Sequence, residues 1–199
     1  MAVLAALLLS CAALPLVAHA EKADRTKQMF IEADQSGRVD LLGQVMVYSG
    51  NVVISQGTML LRAERVEMRT MADGYRAATA TGLPGKPATW RQRRDGLDES
   101  VEGSADRIDF DGRADTLRLA GNSAVRRLRG GSVADELSGG SILWDNLAEV
   151  FKVEGGTKSA VNPTGRVRAV LSPRAEPNER PASAPSATLA PSRSLGDKP

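Results

Sequence analysis

The heptapeptides YSGNVVI at residues 48–54 and LAGNSAV at residues 119–125 decide the fold of this chain. Each places a Gly-Asn pair inside a run of alternating residues, and the two glycines lie 71 positions apart. A second match precedes each heptapeptide, with IEAD at 31–34 and VEGSAD at 101–106. A nearly constant spacing of similar segments indicates one supersecondary unit that is used twice.

From Met29 to Leu171, apolar residues recur at every second position and are interrupted by Gly, Asp and Asn. This period is typical of β-strands with one buried face. We predict turns at Gly50-Asn51 and Gly121-Asn122. A bulge or corner is expected near Glu64-Arg65, where the apolar residues change phase. The sequence therefore predicts an all-β domain of short antiparallel strands, arranged as a sandwich, jelly roll or partly open barrel.

The two ends of the chain differ from this domain. Residues 1–20 carry no Lys, Arg, Asp or Glu and end in Ala18-His19-Ala20, which predicts a secretory signal peptide. Cys11 offers an alternative, lipoprotein-type processing site. Residues 173–199 hold six of the ten prolines and predict a disordered tail. The folded domain is therefore expected over residues 21–172.

Composition argues against most enzyme classes. Cleavage after Ala20 would remove Cys11 and His19, the only cysteine and the only histidine. The mature chain would then have no thiolate, no Ser-His pair and no disulfide, and it would lack the commonest transition-metal ligands. We therefore predict no catalytic residue, no metal site and no cofactor. A formal charge of +2 is too small to indicate nucleic-acid binding.

An ordered set of segments resembles the OstA-like family of periplasmic lipopolysaccharide export proteins. No single segment is specific, but together they cover about residues 29–173. Glu64 stands where the family more often has Asp, and Trp90 where it more often has Phe. The segments are IEADQ (31–35), GNV (50–52), QGT (56–58), AERV (63–66), GKPATW (85–90), VEGSAD (101–106), LAGNSA (119–124), FKVEGG (151–156) and RVRAVLSP (166–173).

The resemblance implies an open, twisted antiparallel β-jellyroll in the periplasm, with a hydrophobic groove that binds the acyl chains of lipopolysaccharide. It also implies head-to-tail joining with further copies and with the inner- and outer-membrane components of the transport machine, and no enzymatic activity. Few aromatics and many aliphatic alternating positions agree with acyl-chain binding. The expected groove residues are Met29, Ile31, Val45, Val52, Ile54, Trp90, Ile108, Phe110, Leu117 and Leu119.

Three arginines, Arg91, Arg93 and Arg94, form a candidate rim for lipid phosphates, although a solvated loop would look the same. Arg62 and Asp115 are expected to lie outside the groove. The segments near 28–33 and 166–171 are expected to supply the edges for head-to-tail pairing. Two other functions stay open: an envelope assembly module with a closed core and no ligand, and a carbohydrate-acting enzyme with paired carboxylates.

Overall fold

A computed structural model describes residues 24, 26–94, 98–148, 150–159 and 162–173, which form one antiparallel sheet of twelve strands. The predicted signal peptide and the tail beyond residue 173 lie outside these ranges. Within them, no helix is long and apolar enough to cross a membrane. The strands are β1 (Met29–Glu32), β2 (Ser36–Asp40), β3 (Val45–Gln56), β4 (Met59–Thr70), β5 (Arg76–Thr81), β6 (Ala88–Arg93), β7 (Glu99–Ala105), β8 (Arg107–Asp111), β9 (Thr116–Arg129), β10 (Ser132–Asp145), β11 (Val150–Glu154) and β12 (Arg168–Leu171).

Four long strands, β3, β4, β9 and β10, fold this sheet into two half-sheets. The first half of β4 pairs with β6 and its second half with β5, whereas β9 pairs first with β8 and then with β7. Half-sheet A therefore has the order β1, β3, β4, β6, β7, β9, β10, β12. Half-sheet B has the order β2, β3, β4, β5, β8, β9, β10, β11. The all-β jellyroll expected from the sequence is confirmed.

The two Gly-Asn pairs are the corners of the sheet. In the strand pairing, Gly50 and Asn51 together stand opposite a single residue of β4. Gly121 and Asn122 together stand opposite a single residue of β10, so each pair is a β-bulge. The φ angles are positive at all four, 86° and 46° in the first pair and 76° and 47° in the second. Glycine and asparagine tolerate this conformation best. The prediction of turns between strands is therefore wrong, because both pairs lie inside long strands that they bend.

The sequence repeat is a structural repeat of six strands. Unit 1 is β1–β6 and unit 2 is β7–β12, and the corners of both are closed by the same backbone bond. The Asp34 N–H donates to the Gly50 carbonyl at 2.8 Å, and the Asp106 N–H donates to the Gly121 carbonyl at 2.9 Å. Inside the chain the units join through two strand pairs, β5 with β8 and β6 with β7.

The strands at the two ends have a partner on one side only among the described residues. At one end β1 and β2 both pair with β3, and at the other β11 and β12 both pair with β10. The edges expected near residues 28–33 and 166–171 are thus β1 and β12. The sequence analysis did not anticipate that β2 and β11 form a second pair of edges.

The core is tightest along the line of corners. Gly103 shows how close the half-sheets come, because a Cβ there would meet Leu119 Cδ2 at 2.8 Å. Small side chains at these positions let two sheets approach each other. Away from the corners the interior is lined by longer side chains and is not filled. The most deeply buried apolar residues are Val52, Val66, Ala80, Ala88, Ala105, Ile108, Leu119 and Ile142.

Candidate functional site

The described residues enclose two cavities between the half-sheets. The first, of about 180 Å³, is walled largely by unit 1 and by the neighbouring strands β8 and β9. Most of its lining side chains are aliphatic or carry a thioether, and such flexible side chains adapt to irregular apolar ligands. Its apolar wall consists of Met29, Ile54, Met59, Leu61, Met68, Ala78, Trp90, Phe110, Leu117 and Trp144.

The second cavity, of about 270 Å³, is walled largely by unit 2. Its floor is apolar, but charged side chains reach it from half-sheet A. Arg93, Arg94 and Arg127 border it together with one carboxylate, Asp135. The apolar part of the wall consists of Trp90, Val101, Val125, Leu137, Trp144, Phe151 and Leu171.

Two tryptophans separate the cavities. Trp90 from half-sheet A and Trp144 from half-sheet B border both of them. The Trp144 ring packs on Phe151 with centroids 4.3 Å apart and a 31° tilt. The sequence analysis missed Trp144 and Phe151 as site residues. Their signal was present in the two-apart pairs that they form with Ile142 and Val153.

Nine of the ten expected groove residues face the interior. Ile31 is partly buried and packs against the core. Three others, Val52, Ile108 and Leu119, are fully buried along the line of corners, where the two half-sheets meet and the interior is closed. The remaining five border the first cavity and are Met29, Ile54, Trp90, Phe110 and Leu117.

Val45 lies on the outer face, contrary to the expectation. It stands opposite Arg69, whereas its neighbours Met46 and Tyr48 pack against the core. The bulge adds its extra residue to β3, so β3 keeps one inward phase through the corner. The opposing strand β4 changes phase instead, between Ala63 and Val66. The phase change expected near Glu64-Arg65 is confirmed, whereas the extra residue of the bulge lies on the partner strand, at Gly50-Asn51.

The three arginines of the candidate rim divide. Arg93 and Arg94 border the second cavity, whereas Arg91, contrary to the expectation, lies on the outer face of β6, where its Nε is 3.5 Å from a carboxylate oxygen of Glu102. Asp115 was expected outside, which is wrong: it is 7% exposed, borders the first cavity and accepts a hydrogen bond from Asn146 Nδ2 at 3.0 Å. The reason is that the β8–β9 connection turns inward at this residue, whose φ is 54°.

The rim of half-sheet A above the first cavity is closed by Asp24. Its Oδ2 accepts hydrogen bonds from the Thr58 hydroxyl at 2.5 Å and the Thr58 N–H at 3.1 Å. Lys27 Nζ lies 3.3 Å from Oδ1. Burial raises the pKa of Asp24, but these hydrogen bonds and the nearby ammonium outweigh it, so that the pKa lies below its ordinary value.

The same rim above the second cavity carries an arginine cluster around Glu99, which is 6% exposed. Glu99 Oε1 accepts hydrogen bonds from Arg129 Nε at 3.0 Å and lies 3.6 Å from Arg127 Nη1. Glu99 Oε2 lies 3.7 Å from Arg94 Nη1 and accepts no hydrogen bond from the residues that the structure describes. Arg127 also pairs with Asp135. The pKa of Asp135 is lowered by the Ser172 N–H and by the arginines, against the opposing effect of burial.

The family model and the similar proteins all point to one family. The family model described as "LptA/(LptD N-terminal domain) LPS transport protein" matches residues 30–149, more than half of the chain. The lipopolysaccharide export system protein LptA of Escherichia coli K12 is 32% identical over 102 residues, which are 51% of this chain and 54% of that protein. LptA of Shigella flexneri matches to the same extent. The chain thus aligns with about half the length of these curated relatives.

A solved structure extends the likeness to the whole domain. The crystal structure of LptH, described as the LptA-homologous periplasmic component of the lipopolysaccharide transport device of Pseudomonas aeruginosa, superposes with a TM-score of 0.61. The match covers 75% of this chain and 99% of LptH at 23% identity. At that identity the likeness concerns the fold.

Proposed function

Because the chain belongs to the LptA/LptD N-terminal domain family, we propose that it is a periplasmic lipopolysaccharide transport protein. In this proposal it holds the acyl chains of lipopolysaccharide between its half-sheets. Copies of the protein would bridge the inner and outer membranes. The observation that carries the proposal is the incompletely filled apolar interior, whose wall runs from unit 1 into unit 2.

The chemistry of the first cavity suits acyl chains better than sugars. Met59, Met68 and Leu61 offer non-directional apolar contacts, and most of the wall is aliphatic or thioether, with three aromatic side chains, Trp90, Phe110 and Trp144. An unfilled interior also favours transport over the assembly module with a closed core. Acyl contacts are expected at the buried Ile54 and at Phe110, which is 37% exposed where it borders the cavity.

Adjacent residues on opposite faces of β4 allow a sharp test. Leu61 borders the first cavity, whereas Arg62 lies on the outer face of the same strand. A photocrosslinking amino acid at Leu61 or Ile54 should trap lipopolysaccharide in cells, and one at Arg62 should not. Equal labelling at all three positions, in variants with unchanged thermal stability, would contradict the proposed interior site.

The joint inside the chain supports a specific head-to-tail contact between copies. In that joint the last strands of unit 1, β5 and β6, pair with the first strands of unit 2, β8 and β7. By the repeat, β11 and β12 correspond to β5 and β6, and β2 and β1 correspond to β8 and β7. We therefore expect β11 and β12 of one copy to pair with β2 and β1 of the next. Such a contact does not close on itself and extends into a rod.

The repeat also sets the expected register of this contact. Trp90 stands opposite Gly103 in the internal joint. The corresponding residues are Ala169 and Ile31, since Ala169 faces Leu137 as Trp90 faces Leu61. Two side chains that are half exposed in the single copy, Val170 at 45% and Phe30 at 58%, would then cover each other on the outer face.

Charge at the contact agrees with this register in one place and opposes it in another. Arg168 would stand opposite Glu32 of the next copy, a favourable cross-strand pair. Lys152 of β11 would stand opposite Arg38 of β2, which is unfavourable by a similar amount. The same edges are the surfaces that we propose for the jellyroll-bearing components of the inner and outer membranes.

A further inference from the structure

The two cavities differ in the charge of their walls. The charged residues around the first are Asp24, Asp115 and Arg76. Around the second they are three arginines and one aspartate. An acyl chain needs no charge, so the cationic wall of the second cavity calls for its own explanation.

Unit 1 shows that the fold does not need these arginines. Arg127 faces Asp135 across β9 and β10 at the position where Gln56 faces Met59 across β3 and β4. Arg129, two residues further along β9, corresponds to Thr58 in the turn between β3 and β4. The same backbone position is thus occupied by uncharged side chains in one unit and by arginines in the other.

Glu99 holds the guanidinium groups in place from behind the wall. It is almost fully buried, does not border the cavity and contacts Arg94, Arg127 and Arg129. Arg94 and Arg127 nevertheless keep 42% and 35% of their side-chain surface exposed. Because two carboxylates, Glu99 and Asp135, serve three guanidinium groups, the guanidinium groups retain donors that can turn to a further anion.

We propose that Arg94 and Arg127, which border the second cavity, form a phosphate subsite at its rim together with Arg129, which shares their partner Glu99, and that Glu99 is the positioning residue. The ligand is an amphiphile that carries a phosphate monoester on its headgroup and places its acyl chains on the apolar floor below. Guanidinium groups match phosphate oxygens in geometry and charge. This subsite rests on the proposed transport function and adds to it a requirement for the headgroup phosphate.

The test compares forms of lipid A with the same acyl chains and two, one or no phosphate groups. Their affinities for the purified protein are measured by displacement of a fluorescent lipid A. The variants are Arg94→Gln and Arg127→Gln, the latter restoring the residue of unit 1. Arg91→Gln is the matched control, since Arg91 lies on the outer face of the same strand as Trp90 and also pairs with a glutamate.

Wild type and Arg91→Gln should bind the diphosphoryl form roughly three- to tenfold more tightly than the dephosphorylated form. Arg94→Gln should reduce this ratio towards one and leave the affinity for the dephosphorylated form unchanged. Thermal unfolding checks each fold. Among the described residues the Arg94 side chain makes one ion pair, at 3.7 Å from Glu99, so Arg94→Gln remains an informative variant if Arg127→Gln is unstable.

Three results would overturn the subsite: a wild-type ratio of one, an unchanged ratio in Arg94→Gln, or an equal loss in Arg91→Gln. Inorganic phosphate at millimolar concentration separates the two sources of the anion. If it binds alone through Arg94, the amphiphile is not the ligand of this site. If the wild type binds none of the three lipids, the proposed transport function itself fails.

Discussion

Units 1 and 2 share one backbone but not one interior. Their equivalent hydrogen bonds agree in length: the Thr70 N–H to the Gln44 carbonyl at 3.0 Å, and the Asn146 N–H to the Asp115 carbonyl at 3.1 Å. The rim of unit 1 is closed by Asp24 with Thr58 and a single ammonium group, that of Lys27, whereas the rim of unit 2 carries the arginine cluster. The comparison teaches that the corners specify this fold and leave the chemistry of the rims free to differ.

The largest effect is expected at a corner. Gly121→Val should lower the free energy of unfolding by about 3 kcal/mol, because a Cβ there combines a φ of 76° with contacts 3.0 Å from Asp106 Cβ. Gly74→Val, at a φ of 85° in open space, isolates the backbone strain and should cost about 1–2 kcal/mol. Urea unfolding measures both. Equal costs would mean that the corner is no tighter than an ordinary hairpin turn.

The next effect concerns the wall between the two cavities. Trp144→Ala should cost about 2–3 kcal/mol, since it removes a large partly buried ring and its contact with Phe151. It should also join the two cavities and change the number of fluorescent fatty acid molecules bound. Trp144→Phe keeps a ring in place and serves as the control. Unchanged stoichiometry in a folded Trp144→Ala protein would argue against a dividing role.

A smaller effect tests whether the internal joint is a template for the chain ends. Glu32→Arg places like charges opposite each other in the expected register and should weaken self-association about threefold. Combining it with Arg168→Glu should restore the association of the wild type. Analytical ultracentrifugation at several concentrations gives the constants. A double variant no better than either single variant would show that the register is different.

The smallest effect is a pH dependence that both rims share. The pKa values of Asp24 and Asp135 are lower in the folded protein than their ordinary value of 3.8. The stability that they contribute is therefore complete above pH 3.8 and is lost as the pH falls through the lower folded-state values. Asp24→Asn should flatten this part of the curve by less than about 1 kcal/mol. A steeper curve in the variant would reverse the assigned direction.

Sequence analysis predicted the architecture better than it predicted which residues of each strand face the interior. The strand class, the duplication and nine of ten interior positions followed from period-2 patterns such as Val52 with Ile54. Val45 was assigned to the wrong face because both phases of its strand are apolar: Val45 and Val47 alternate with Met46 and Tyr48. Which phase faces inward depends on the strand that receives the bulge, and that is a property of the pair.

The sequence alone determined the repeat and the all-β class, because alternation and repeated Gly-Asn pairs are local and each needs only a few neighbouring residues. The ordered set of segments added the resemblance to the family. Only the tertiary structure decided what the rims contain. Arg94, Glu99, Arg127 and Arg129 come from β7, β9 and the end of β6, and they meet because the register of half-sheet A brings them side by side. Pairing between strands that are distant in sequence depends on the summed packing of both faces of the sheet, so no local sequence pattern predicts it.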